Sequence, residues 1–255
     1  MQKTEEILGI ILKTNKVNEV DKKILILTRE RGKISATARG AYKNLNRWRT
    51  SFEPFSIINF TLLERSKFLT IISADENKNF KNIYNSYSKI IKASFMTELI
   101  DCFSYENNKD DEIFALLITH LEKLNDAQEI STENRIFFEF ESLLLTILGY
   151  SHSSIICNDC MKQISDVEGA FFDTSRNVFV CNECGYIVKA DIKISSLTKK
   201  LILNPITTIA PEKNVKMGIS ILTRLLEKAS SENDASSKFA PIKKEIWEYY
   251  KKEEK

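Results

Sequence analysis

Histidine is nearly missing from this chain. Only 2 occur in 255 residues, His120 and His152, and neither sits in a catalytic pattern, so no Ser-His-Asp set can be assembled. Neither a G-x-x-x-x-G-K-[ST] loop nor a G-x-G-x-x-G fingerprint occurs, which removes the usual phosphate cradles of nucleotide-binding enzymes. Glycine (7) and proline (4) are scarce, so most of the chain should be regular structure. No apolar run reaches the roughly 18 uncharged residues of a membrane span. The longest uncharged stretch, residues 142–157, is broken by Ser, Gly and His. The start, MQKTEEILGI, carries glutamates and lacks the apolar core of a secretory signal. A cytoplasmic protein with no membrane partner is therefore expected, and nothing nominates an enzyme.

Acids are missing locally as well. From Lys22 to Arg49 there are nine Lys/Arg and one acid, Glu30; from Glu98 to Glu141 there are twelve Asp/Glu and three Lys/Arg. A basic front suits a polyanion and an acidic middle repels one. Within the front, GKISATARGAYKNLNRWR (32–49) holds five positive side chains and no acid. A solvated surface would mix the two signs.

What is present is a change of period. EILGIILKT, KKILILTRE, KISATAR, FSIINFTLLER and KFLTIISAD are short β-branched, apolar runs bounded by turn residues. They predict five strands within 1–80, a small barrel or sandwich. In KISATAR, alternation puts Ile34, Ala36 and Ala38 on one face and Lys33, Ser35, Thr37 and Arg39 on the other. From Phe80 the spacing becomes helical, through Ile83, Tyr87, Ile91, Phe95 and Leu99, then over 110–125 and 132–148. Gly149 falls where a helix C-cap belongs. Further helices are expected near 196–203, 213–229 and 241–252, with ASSENDASSK (229–238) as a polar linker. Cys102 and His120 fall among core positions of the helical pattern.

CNDC (157–160) and CNEC (181–184) form C-x2-C-x20-C-x2-C. Two such knuckles bring four thiolates into a tetrahedron, the arrangement of a structural zinc with no open position. Cys157, Cys160, Cys181 and Cys184 are the expected ligands. GAFFDTSRNVFVC between them predicts a hairpin, hence a zinc ribbon. Disulfides are disfavoured in a cytoplasmic protein. A redox C-x-x-C is usually single and beside a βαβ unit. An iron–sulfur cluster is the remaining alternative. His152, five residues before Cys157, is read as a solvent-facing residue rather than a fifth candidate ligand.

The acid-free stretch also holds Tyr42 and Trp48, and bases stack on aromatic faces. Five-stranded barrels that bind oligonucleotides use the face of strands 2 and 3 and adjoining loops. The predicted DNA-binding set is Lys22, Lys33, Arg39, Lys43, Arg47, Trp48 and Arg49, with Trp48 either a stacking residue or a core anchor.

These residues carry a resemblance. ILGIILKTNKVNEVDKKILILTRERGKISATARGAYKNLNRWR followed by FEPF resembles the start of the RecO family of recombination mediators, with Gly9, Lys13, Asp21, Lys22, Thr28, Gly32, Lys33, Arg39, Gly40, Lys43 and Arg47 matching its pattern. LLLTILGY (143–150) is similar to the helix before that family's zinc module. Tyr42 departs from the pattern, standing where the family often has a basic residue. The resemblance implies an α+β protein: an OB-fold DNA-binding domain (1–80), a helical domain (81–150), a zinc-ribbon module (151–190) and a C-terminal helical segment (191–255) packed on the helical domain. It implies binding of single- and double-stranded DNA and annealing of complementary strands. It also implies RecA loading, with a RecR-type partner, onto DNA coated by single-stranded DNA-binding protein. A zinc-ribbon RNA-binding or transcription-associated module is the alternative, and a nuclease using the acidic middle is a third.

Overall fold

In the computed structural model, which describes residues 3–43, 48, 52–66, 68–150, 155–164 and 169–232, the five expected strands are β1 (Lys3–Lys16), β2 (Lys22–Thr28), β3 (Gly32–Ala38), β4 (Ile57–Arg65) and β5 (Phe68–Lys78). They close into a barrel in the order β1-β2-β3-β5-β4, which is the OB fold. β1 makes closure possible. It pairs with β4 over Lys3–Ile10 and with β2 over Gly9–Lys16, and its register shifts between Ile11 and Lys13. Such a bulge bends a strand and lets it serve two neighbours. β3 meets β5 in parallel, with Ala36 opposite Leu69 and Thr37 opposite Thr70. Ile7, Ile11, Ile24, Ile26, Ile34, Ala36, Phe60 and Ile71 fill the interior, as the alternation in β2 and β3 requires. The FEPF segment clings to β1: Phe55 N donates to Ile11 O, and Thr14 Oγ1 donates to Phe52 O, both at 2.8 Å.

Among the described residues, three helices complete this first unit, whose described part falls in Met1–Asp126. They are α1 (Lys81–Tyr84), α2 (Tyr87–Phe103) and α3 (Asp111–Asp126). Ser86 caps α2 by accepting from Lys89 N, which satisfies one free amide of the first turn. α2 buries residues around most of its circumference, including Ile91, Phe95, Met96, Leu99 and Ile100.

The end of α2 and the loop after it cover the start of β3. Asn107 N donates to Lys33 O at 2.9 Å. Gly32 has φ +66°, and a Cβ there would lie 1.9 Å from Asn108 O, so neither its backbone nor its surroundings admit a side chain. The Lys33 ammonium is enclosed, donating to Asp101 O at 2.5 Å and Asp101 Oδ1 at 2.8 Å. Its side chain is 4% exposed. Alternation correctly turns Lys33 away from the barrel interior. Tertiary packing then buries that end of the outer face, so the expectation that Lys33 is open to DNA is corrected.

The second unit lies within Ala127–Phe239, so the segment 81–150 does not stay together: α2 and α3 belong with the barrel. The second unit contains α4 (Ile130–Ile147), β6 (Ala170–Asp173), β7 (Val178–Cys181), α5 (Asn182–Val188), β8 (Ile192–Ile194), α6 (Ser196–Leu203) and α7 (Glu212–Glu232). α4 packs on α7; Phe137, Phe140 and Leu144 on one and Ile219, Leu222 and Leu226 on the other are buried. α7 runs past Ala229, where the polar linker was expected to begin. Ala229 and Ser230 are buried, and the hydroxyls of Ser230 and Ser231 donate back to Glu227 O and Lys228 O, so these polar residues are satisfied within the helix. The expected helix over 241–252 lies outside the described residues. No helix among the described residues is long and apolar enough to cross a membrane.

Glu141 on α4 is fully buried and accepts a hydrogen bond from Thr223 Oγ1 on α7 at 2.6 Å. Burial pushes its carboxyl well above the usual range, and the Thr223 bond offsets this only in part.

Two predictions follow from these buried groups. Lys33→Ala removes one partner of an enclosed pair, and loss of such a partner costs about 3 kcal/mol; denaturant unfolding should show a loss of that order. The double variant Lys33→Met with Asp101→Asn should lose less than the two single variants added together. For Glu141, the folded state holds a proton that the unfolded state releases above its ordinary value of 4.5. Stability should therefore fall as pH rises from that value through the elevated folded pKa. Glu141→Gln should raise the melting temperature at pH 8 and change it little at pH 4.

Candidate nucleic-acid interface and metal centre

The β1–β2 loop and the turn after β3 are stitched together at one end of the barrel. Asn18 Oδ1 accepts from the amides of Val20 and Asp21, both at 2.8 Å. Asp21 Oδ1 accepts from Gly40 N at 2.8 Å, and Tyr42 N donates to Val20 O at 3.1 Å. The Gly40 bond and the Asn18 amide hold the Asp21 carboxyl below its usual range, and Arg39 adds to this. This acid is thus committed to shaping the turn.

The framework positions a basic surface with an aromatic in it. Lys16 and Lys22 are direct cross-strand partners. Their ammonium groups lie 5.7 and 5.1 Å from the Tyr42 ring centroid, within cation–π range. Tyr42 is 42% exposed, and Arg39 and Lys43 are exposed beside it. On the outer face of the sheet Lys23 stands opposite Thr37, and Thr37 opposite Thr70. One level across three strands thus carries an exposed ammonium and two hydroxyls, groups that hold phosphate.

Of the residues expected at this surface, the structure brings Lys22, Arg39 and Lys43 together. Arg47 and Arg49 lie outside the described residues. Lys33 is withdrawn, for the reason given above. Trp48 is a core anchor: it is 7% exposed and packs edge-on against Phe52 with ring centroids 5.1 Å apart. Arg31, counted in the basic front, is engaged by Glu5 at 2.7 Å and Glu64 at 3.0 Å. Lys16, outside the basic front, and Lys23, inside it but not in the predicted set, were missed; the register across β1, β2 and β3 places them.

The four cysteines of the second unit converge, and their sulfur atoms all lie within 4.8 Å of one another. Cys160 and Cys181 are separated by 3.7 Å; ligands about 2.3 Å from one tetrahedral ion stand about 3.8 Å apart. The local fold explains the convergence. β6 pairs with β7 through the expected hairpin and with β8 on its other side. Cys181 ends β7 and is the N-cap residue of α5, so Cys184 falls in that helix's first turn. Gly185 lets the helix sit on β6, since a Cβ there would meet Phe171 Cδ2 at 2.4 Å.

The first knuckle is folded by backbone bonds from Cys157 N to Lys162 O and from Met161 N to Cys157 O. Arg176 pins it to the hairpin. Its guanidinium grips Asp159 at 2.8 and 3.2 Å and Asp173 at 2.6 Å. Ser175 and Arg176 together hold the Asp173 carboxyl down to about 2, against the effect of burial. Burial pushes the Cys157 thiol up, but backbone amides at Cys181, Cys160 and Asp159 outweigh it and hold it at about 6. Cys184 moves the opposite way, raised first by Cys181 and then by burial and the other thiols. Four sulfurs this close need a cation before all can be thiolates. The donor set fits a soft ion held in a closed tetrahedron. His152 lies outside the described residues.

A closed OB barrel with a basic, aromatic-bearing outer surface, joined in one chain to a helical unit carrying a four-thiol ribbon, defines an OB-fold protein with a metal-knuckle insert. Two family models match it: Recombination protein O N terminal over residues 1–78, and Recombination protein O C terminal over 84–204. The chain is 30% identical to DNA repair protein RecO of Caldanaerobacter subterraneus subsp. tengcongensis, over 76% of this chain and 75% of that protein. It is 28% identical to the protein of that name from Alkaliphilus metalliredigens, over 76% and 77%. It is also 28% identical to that of Synechococcus sp., over 71% and 62%. The chain belongs to the RecO family.

The centre predicts a stoichiometry and a dependence. Fully reduced protein should carry about one metal ion per chain by elemental analysis. Arg176→Ala removes the group that orients the first knuckle, and such losses lower metal affinity by about 10- to 100-fold. Competition with a chromophoric chelator measures this.

Proposed function

We propose that this chain acts in recombinational DNA repair as a mediator that binds DNA rather than as an enzyme. It anneals complementary single strands and, with a RecR-type partner, promotes RecA loading onto strands coated by single-stranded DNA-binding protein. Membership in the RecO family supports the pathway. The observation that carries the DNA-binding step is the pair of ammonium groups, Lys16 and Lys22, over exposed Tyr42, with Arg39 and Lys43 exposed in the same turn. Arg47 and Arg49 extend this cluster in the sequence.

Two DNA strands resist pairing because their phosphates repel. A surface that places several cations against both backbones lowers that repulsion without making or breaking a bond, and a free base edge remains to find its complement. The four-thiol centre holds zinc. Its donors are all sulfur and leave no position for water, so the ion's contribution is structural. Iron found in the same elemental analysis would overturn that identity.

The test is a salt titration of single-stranded DNA binding. Each phosphate contact contributes a slope of about −0.7 in log K against log salt. Arg39→Ala with Lys43→Ala should flatten the slope by about 1.4 and weaken all sequences alike. An unchanged affinity and slope in the folded variant would remove this surface from DNA binding.

A further inference from the structure

Several aromatic side chains are exposed among the described residues, and Phe68 is the most exposed of them. Phe68 is 78% exposed. It opens β5 directly after the β4–β5 turn, where Ser66 adopts φ +47°. A single exposed apolar residue is ordinary by itself; what distinguishes this one is the position that register gives it. Leu69 pairs with Ala36 and Thr70 with Thr37, in parallel. Leu69 and Ala36 both point into the core, so Phe68 and Thr70 point outward, on the same face as Ser35 and Thr37. Phe68 therefore flanks the β3 surface that carries Thr37 and, one strand further, exposed Lys23. Arg65, its partner across the turn, is exposed. The neighbouring acid, Glu64, is engaged by Arg31. The ring thus sits between an exposed cation and a hydroxyl-bearing strand face, at the edge of the surface that OB barrels present to oligonucleotides.

We infer that Phe68 is a base-stacking platform that makes this surface prefer unpaired strands. This rests on the DNA-binding reading above and adds a specificity-determining residue to it. Phosphates run along Lys23, Arg39 and Arg65 and the β3 hydroxyls, while an unstacked base lies on the Phe68 ring. A base inside a duplex has no free face to offer, so duplex gains only the phosphate contacts. Stacking tolerates any base because every base has a π-face.

The test uses the full-length protein with a thymidine oligonucleotide, an abasic oligonucleotide of equal length and a duplex. Wild type should bind the thymidine strand about 5- to 150-fold tighter than the abasic one. Phe68→Ala should lower thymidine affinity by at least about fivefold, leave abasic and duplex affinities alone, and keep the salt slope. Phe68→Tyr should restore binding. The side chain is exposed, so the variants should fold, and circular dichroism checks this. Wild-type affinity for the thymidine strand in folded Phe68→Ala overturns the inference while leaving DNA binding intact. If wild type binds none of the three probes, the DNA-binding reading has failed and the role of Phe68 falls with it.

Discussion

Barrel closure is the constraint from which the rest of the first unit follows. Five short strands can close only if β1 is long enough to pair on both sides and if β3 and β5, which are not adjacent in the chain, meet in parallel. Closure fixes which side chains face inward, because alternation then has no freedom of register. It also decides which residues from distant parts of the sequence become neighbours on the outside. Lys23, Thr37 and Thr70 share one level for that reason alone. The turn after β3 is tied to the β1–β2 loop through Asp21 and Gly40, so the basic cluster is held on a rigid rim.

Charge counted along the chain and charge offered to solvent are different quantities here. The basic front loses Arg31 to a pair of glutamates and Lys33 to Asp101. A buried ammonium is tolerable only when its hydrogen bonds are made inside. The Asp101 carbonyl and carboxylate do this for Lys33. Among the described residues, the basic surface left exposed is smaller and more local than the composition suggests. It gains Lys16, which lies outside the basic run, and register singles out Lys23 from within it.

The fold was legible in the sequence wherever the signal is local. Alternation in KISATAR gives the inner face of β3, helical spacing gives α2 to α4, and the paired knuckles give the cysteine cluster, because each depends on residues close along the chain. Long-range packing accounts for what was not legible. Alternation turns Lys33 outward correctly, but only tertiary structure shows that α2 covers that end of the strand. Trp48 lies in a basic stretch yet belongs to the barrel core, a choice that the charges of its neighbours do not determine. Phe68 reads as one more apolar residue of a strand, and only register with β3 reveals it as exposed beside the surface of interest. The boundary at Asp126 has the same origin, since α2 and α3 sort with the barrel by what they bury and not by their period.

The ribbon shows how so little structure can hold itself together. β6 and β7 are four residues each, too short to supply much of a core. An ion held by the four thiols would join Cys157 and Cys160 to Cys181 and Cys184 and so close a loop of about 20 residues. By the arithmetic of loop closure, such a cross-link is worth about 3 kcal/mol. That gain comes from the disordered chain, whose freedom the cross-link removes, rather than from contacts in the folded state. The residues of the hairpin turn are therefore free to vary in size, provided that the spacing within each knuckle and the Arg176 clamp are kept.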